Sequence, residues 1–99
     1  MVLVAELDRA VIGMVTAQLV VSTAEGGRSA LVEDLVVDAS ERGTGAGRAL
    51  LAAVEGWARR SGATRLQLLA DRENAPALRF YGRMGWSGTR LVCLRRGGA

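Results

Sequence analysis

The stretch Arg42-Gly43-Thr44-Gly45-Ala46-Gly47-Arg48 decides how the rest of the chain is read. Before it lies an apolar, strand-like segment, Leu31 to Val37. After it an apolar pattern of helical period runs from Ala49 to about Arg60. A strand that delivers the chain through a glycine-rich turn into a helix makes a place for phosphate. Glycine tolerates positive φ and lets a ligand come close to the main chain. The first N–H groups of a helix have no internal partner and stand at the positive end of its dipole. Such a cradle holds an anion with backbone nitrogens, so its side chains need only be small. The bland alternative is a loop that merely turns a corner. It explains the glycines less well, because they alternate and are flanked by Arg42 and Arg48 at a helix start.

Working outward, Val2 to Leu7 reads as a short strand, Asp8-Arg9 as its turn, and Val11 to Val21 as a longer strand completing a hairpin. Ser22 to Ser29, with Glu25-Gly26-Gly27-Arg28, is a loop by composition. Leu31 to Val37 is the third strand. The period of two puts Leu31, Glu33, Leu35 and Val37 on one face and Val32, Asp34 and Val36 on the other, unless a bulge intervenes. In the first helix Leu50, Val54 (with Ala53) and Trp57 form the core stripe, and Ser61-Gly62 ends it. Thr64 to Ala70 is the fourth strand. Asn74 caps a second helix with Pro76 in its first turn and Ala77, Tyr81 and Met84 on one face; Gly85 stops it. Trp86 to Arg96 is expected to supply one or two last strands around Ser87-Gly88. The fold class is therefore α/β in the layered α+β sense, a mixed sheet in the order β-β-β-α-β-α-β(β) with helices packed on it. No repeat or linker appears, and residues 1–99 read as a single domain.

At 99 residues, 49% hydrophobic and 23% charged, the chain suits one small soluble domain. No apolar run approaches the roughly 18 residues of a membrane span, and the start lacks the features of a signal peptide. Cys93 is the only cysteine, which excludes an internal disulfide or a cysteine zinc cluster and fits a reducing cytoplasm. In the apolar run Leu91-Val92-Cys93-Leu94 it is expected to be buried and inert. All 13 basic residues are arginines, and the net charge is +3. They are scattered, so neither a nucleic-acid nor a membrane partner is expected, and no metal is implied. Histidine is absent. Proton transfer must then use a carboxylate, Tyr81, Cys93 or water.

The glycine stretch does not match a P-loop, which needs lysine. Nor does it complete a dinucleotide fingerprint, because Arg48 occupies the third glycine position and the glycines follow Val37 too late. Arg42-x-x-Gly45-x-Gly47, preceded by Glu33-Asp34-Leu35-Val36-Val37-Asp38, resembles the acetyl-CoA signature of the GNAT family of N-acetyltransferases. Asn74-Ala75-Pro76-Ala77-Leu78-Arg79-Phe80-Tyr81, followed by Gly82-Arg83-Met84-Gly85-Trp86, resembles that family's second motif. The two motifs stand in the right order, and the match covers about residues 31 to 96.

The resemblance implies a division of labour. Main-chain groups of Leu35, Val36 and Val37 would pair with the pantetheine arm of acetyl-CoA, the cosubstrate. The N–H groups of Gly43, Thr44, Gly45, Ala46, Gly47 and Arg48, next to Arg42, would hold its pyrophosphate. Asn74 would bond the coenzyme, and Tyr81 would sit by the thioester sulfur. A backbone N–H near Val36 or Val37 can donate to a developing oxyanion. A phenol with an ordinary pKa near 10 can protonate a departing thiolate. Glu33 is the candidate for the base. A solvated or ion-paired Glu33 and Asp34, or an amine that loses its proton to water, are the alternatives.

The expected function is transfer of an acetyl group from acetyl-CoA to a primary amine of a small molecule or peptide. A catalytically idle acyl-CoA-binding module and, behind it, a basic nucleic-acid-binding domain are the alternatives. Family members usually carry a strand and one or two helices before the hairpin. Starting at the hairpin leaves a strand edge open, and a homodimer is expected to cover it.

Overall fold

Asp8 and Arg9 turn the chain with φ of 51° and 67°, both in the left-handed region, as a two-residue hairpin requires. They join β1 (Val2–Leu7) to β2 (Ala10–Val21). In this computed structural model, residues 1–21 and 26–98 are described. Two compact units are present, Met1–Leu68 and Leu69–Ala99. The first holds one four-stranded sheet in the order β1-β2-β3-β4, with β3 at Arg28–Val37 and β4 at Ala63–Leu68. β2 runs antiparallel to both β1 and β3, and β4 is parallel to β3, so the sheet is mixed as expected. Of the loop expected over Ser22 to Ser29, residues 22–25 lie outside the described residues, and β3 already begins at Arg28.

α1 (Ala46–Arg60) makes the crossover from β3 to β4 and packs on the sheet. Its buried stripe is Leu50, Leu51, Val54 and Ala58. This corrects the expected stripe: Ala53 is exposed and Trp57 only half-buried, because the face drifts along i, i+1, i+4 and i+8. Opposite it the strands supply Val15, Ala17, Ala30 and Val32, all nearly inaccessible. With so few large buried side chains, each worth about 1.5–3 kcal/mol, the core has little to spare. The helix ends as read from sequence, with Gly62 at φ 82°. The Arg28 guanidinium donates to the Ser61 carbonyl at 3.1 Å, a cation at the negative end of the dipole.

The register between β2 and β3 slips once. Thr16 faces Asp34, but Ala17 faces Val32, which leaves Glu33 as an extra residue without a partner across the ladder. This bulge changes the face assignment read from simple alternation. Val32 lies opposite buried Ala17 and Leu35 opposite buried Val15, so Ala30, Val32, Leu35 and Val37 share the α1 side. Glu33 and Asp34, consecutive in sequence, both fall on the other side. The expected grouping of Glu33 with Leu35 and Val37 is therefore wrong. A bulge is present, but Asp34 still alternates with Leu35 and does not join its face; relative to Leu35 it is Glu33 that changes sides.

The second unit contains α2 (Ala75–Arg83). The strands expected in Trp86 to Arg96 are absent: residues 86–98 hold no ladder partner among the described residues. β propensity in Leu91-Val92-Cys93-Leu94 makes a strand only where a neighbour accepts its backbone bonds. Leu91, Val92 and Leu94 are exposed, and so is Cys93, contrary to its expected burial.

Gly13, inside β2, has a reason that the strand reading passed over. A Cβ there would stand 2.8 Å from the Val36 carbonyl oxygen and 3.3 Å from Leu50 Cδ1. Main chain cannot yield as a side-chain tip can. Gly13→Ala should lower unfolding free energy by about 1–3 kcal/mol, as overpacking does. Urea denaturation checks this, and an unchanged midpoint would contradict it.

Candidate functional site

β4 pairs with β3 only as far as Leu68 opposite Val32. β3 continues to Val37, so from the bulge onward its outer edge has no strand beside it among the described residues. Which groups this leaves free follows from the pleat. Asp38 N–H donates back to the Ile12 carbonyl at 2.7 Å and Asp34 N–H to Thr16 Oγ1 at 3.1 Å, so both aim toward β2. Alternate residues aim opposite ways. Val36 therefore also points at β2, while Leu35 and Val37 present N–H and C=O to the open edge. Of the two candidates for an oxyanion donor, Val37 has the free geometry and Val36 does not.

That edge leads directly into the glycine turn. After a single 3-10 turn, Ala39–Glu41, the chain passes Gly43 (φ 86°) and Gly45 (φ 93°) and enters α1 at Ala46. The helix thus starts before Ala49, and Ala46, Gly47 and Arg48 are its first turn. Gly45 is the N-cap, no side chain caps the helix, and the Gly45 carbonyl accepts from Ala49 N–H at 3.0 Å. The N–H groups of Ala46, Gly47 and Arg48 precede the first possible intrahelical donor. At Gly43 and Gly45 a Cβ would have nothing within 4 Å, so open space fronts the turn. Thr44 is used inside it: its hydroxyl and its N–H both donate to the Glu41 carbonyl, at 2.6 and 3.3 Å. Arg42 and Arg48 flank the turn and are exposed.

In the second unit, Asn74 caps α2 as expected, its Oδ1 accepting from Ala77 N–H at 3.2 Å. This commits the amide oxygen to the helix. At the other end Gly85 takes φ 92°. Trp86 N–H donates to the Tyr81 carbonyl at 2.9 Å and Gly85 N–H to Gly82 at 3.1 Å, the paired bonds of a glycine-terminated helix. This closure brings the Trp86 ring edge-on to Tyr81, centroids 6.1 Å apart, while Phe80 stands at 5.5 Å. The spacing Tyr81…Gly85-Trp86 is thus a device for fixing the tyrosine ring. Burial raises the Tyr81 pKa above 10.0, so the phenol keeps its proton through the neutral range.

Glu33 is exposed, at the bulge. The residue that sequence reading missed is Thr16. Its hydroxyl accepts from Asp34 N–H and donates to Asp34 Oδ2 at 3.0 Å. No local pattern marks it, because its partner is fixed only by the β2–β3 register.

Residues 1–86 match the model of the acetyltransferase (GNAT) family. Among solved structures, an integron cassette protein from the mobile metagenome of V. cholerae superposes with a TM-score of 0.91 at 28% identity, over 98% of this chain and 60% of that one. A Pyrococcus furiosus protein provisionally named an acetyl transferase gives 0.84 at 29%, over 96% and 64%. An aminoglycoside N-acetyltransferase, AAC(6')-Iy in complex with CoA, gives 0.89 at 22%, over 99% and 75%, which shows the shared fold. The chain thus spans less than two thirds of the length of the first two. A sequence search of curated proteins gives no significant match.

Tyr81 is the only tyrosine, so phenolate absorbance reports it alone. The folded protein should titrate above 10.0 and the denatured chain near the ordinary value of about 10. Below that range both states hold the proton and stability is unaffected. As pH rises through it the unfolded chain loses its proton first, so stability falls. A folded-state midpoint at or below 10.0 would contradict burial of the ring.

Proposed function

The chain belongs to the GNAT acetyltransferase family, and on that premise we propose that it is an N-acetyltransferase carrying acetyl groups from acetyl-CoA to a primary amine of a small molecule or peptide. The observation that carries this reading is the continuity of three features in one short stretch. They are the open edge of β3, the left-handed glycine turn and the uncapped start of α1. A pantetheine amide chain matches the first, as an added strand does. A pyrophosphate matches the second and third. The open space at Gly43 and Gly45 is what such a ligand needs. Residues 1–99 act as one domain in this reading; the family match runs across both units.

Acetyl-CoA supplies an activated acyl thioester. Leu35, Val36 and Val37 lend their main chain to its arm, with Leu35 and Val37 making the bonds. Gly43, Gly45, Ala46, Gly47 and Arg48, beside Arg42, receive the pyrophosphate, Thr44 shaping the turn through its bonds to Glu41, and the Asn74 amide nitrogen bonds the coenzyme. In the transfer the amine nitrogen bonds the carbonyl carbon and the carbon–sulfur bond breaks. Val37 N–H stabilises the charge on the carbonyl oxygen. Glu33 takes the amine proton, directly or through water, and the Tyr81 hydroxyl gives its proton to the departing sulfur. The raised pKa of Tyr81 suits a donor that must arrive protonated. The proposed setting is cytoplasmic, with which the free thiol of Cys93 is compatible.

A second copy is proposed along β1, the outer strand of the sheet, where Val2 is 64% and Val4 51% exposed. Sedimentation at tens of micromolar should give a dimer; a monomer throughout would contradict it.

Release of free thiol from acetyl-CoA with a panel of primary amines tests the reaction. With an amine that turns over, Tyr81→Phe and Glu33→Gln should each lower kcat about a hundredfold or more, the usual worth of a general acid or base. Coenzyme A binding should persist in both. Binding without turnover by the unaltered protein, across the panel, would instead leave an acyl-CoA-binding module.

A further inference from the structure

We propose that Thr16 is a positioning residue of the donor edge: its hydroxyl closes the bulge at Glu33 and so fixes where Leu35 offers its backbone. This rests on the acetyl-CoA reading of that edge.

In an unbroken antiparallel pair, the Asp34 N–H would end on a β2 carbonyl. One surplus residue moves β3 out of step, and at the slip the Asp34 N–H meets Thr16 Oγ1 at 3.1 Å. The same hydroxyl sends its proton to Asp34 Oδ2 at 3.0 Å. Accepting from the backbone and donating to the side chain of one residue, it holds Asp34 at two points. Thr16 itself cannot drift, because Val15 and Ala17 on either side are buried against the core. The freedom left at the slip belongs to β3, in Glu33 and the residues after it. Leu35, which aims its N–H and C=O at the open edge, is bonded to Asp34. Its placement is therefore inherited from the Thr16 contact. Glu33, on the other side of the same clamp, inherits its position too. Valine would keep the branched shape and lose both bonds. Serine would keep both.

Full-length Thr16→Val should bind coenzyme A about threefold to tenfold more weakly, the equilibrium worth of one net hydrogen bond. It should also turn over more slowly with the amine that serves the unaltered protein, and Thr16→Ser should restore both. Asp34→Asn should stay within about twofold of the unaltered protein in binding and turnover, because its amide oxygen still accepts from the hydroxyl. In the unaltered protein the Asp34 amide should exchange with deuterium slowly despite its exposed side chain; this measurement does not depend on any variant folding. Rapid exchange at Asp34 would overturn the proposal, as would normal coenzyme binding and turnover in Thr16→Val. An Asp34→Asn protein that binds normally but does not turn over would make Asp34 itself the proton acceptor and overturn it as well. No coenzyme binding by the unaltered protein, with slow Asp34 exchange, would instead remove the acetyl-CoA reading and leave the clamp standing.

Discussion

One surplus residue in β3 organises this protein. Glu33 has no partner across the ladder, so the strand must bend, and every side chain after it changes face. The residues that follow keep Leu35 and Val37 on the core side. The residues at the slip, Glu33 and Asp34, both turn to the opposite face. β4 stops pairing at the same place, opposite Val32. A strand that has bonds on one side and none on the other presents N–H and C=O groups with which an extended amide chain can pair. The proposed place of an extended, peptide-like arm is this edge, and the glycine turn lies at the end of it.

Binding through the main chain, as proposed, would have a consequence for the sequence. Backbone N–H groups are the same in every residue, so the constraint falls on where glycine must be, not on which polar side chain stands nearby. Gly43 and Gly45 need positive φ, and Gly85 needs it to fold Trp86 back on Tyr81. Other positions are freer. The chain superposes at TM-scores of 0.84 to 0.91 with identities of only 22% to 29%, so the fold is kept while most side chains differ.

The legible parts were those written in local chemistry. Asp8-Arg9 as a hairpin turn, Gly62 and Gly85 as helix ends and Asn74 as a cap each depend on a few neighbouring residues, and each is found in place. The glycine-rich stretch was readable for the same reason. The illegible parts depend on partners distant in sequence. A bulge shows only when two strands are aligned, so simple alternation puts Glu33 on the face of Leu35 and gives no sign of Thr16. Gly13 did carry a signal, since glycine inside a strand often marks a close approach of backbone. The segment from Trp86 to Arg96 has the composition of a strand, but composition does not supply the neighbour that a strand requires.

The central claim is that peptide nitrogens of one continuous stretch, and not a set of charged side chains, grip the acyl donor. Amide chemical shifts recorded while coenzyme A is added to the folded protein address it residue by residue. The amides of Leu35, Val37, Ala46, Gly47 and Arg48 are predicted to move together and to report a single affinity, with Val36 and the β1–β2 hairpin turn at Asp8-Arg9 changing least. Saturable binding that leaves those five amides in place, or no shift anywhere at millimolar coenzyme, would contradict it.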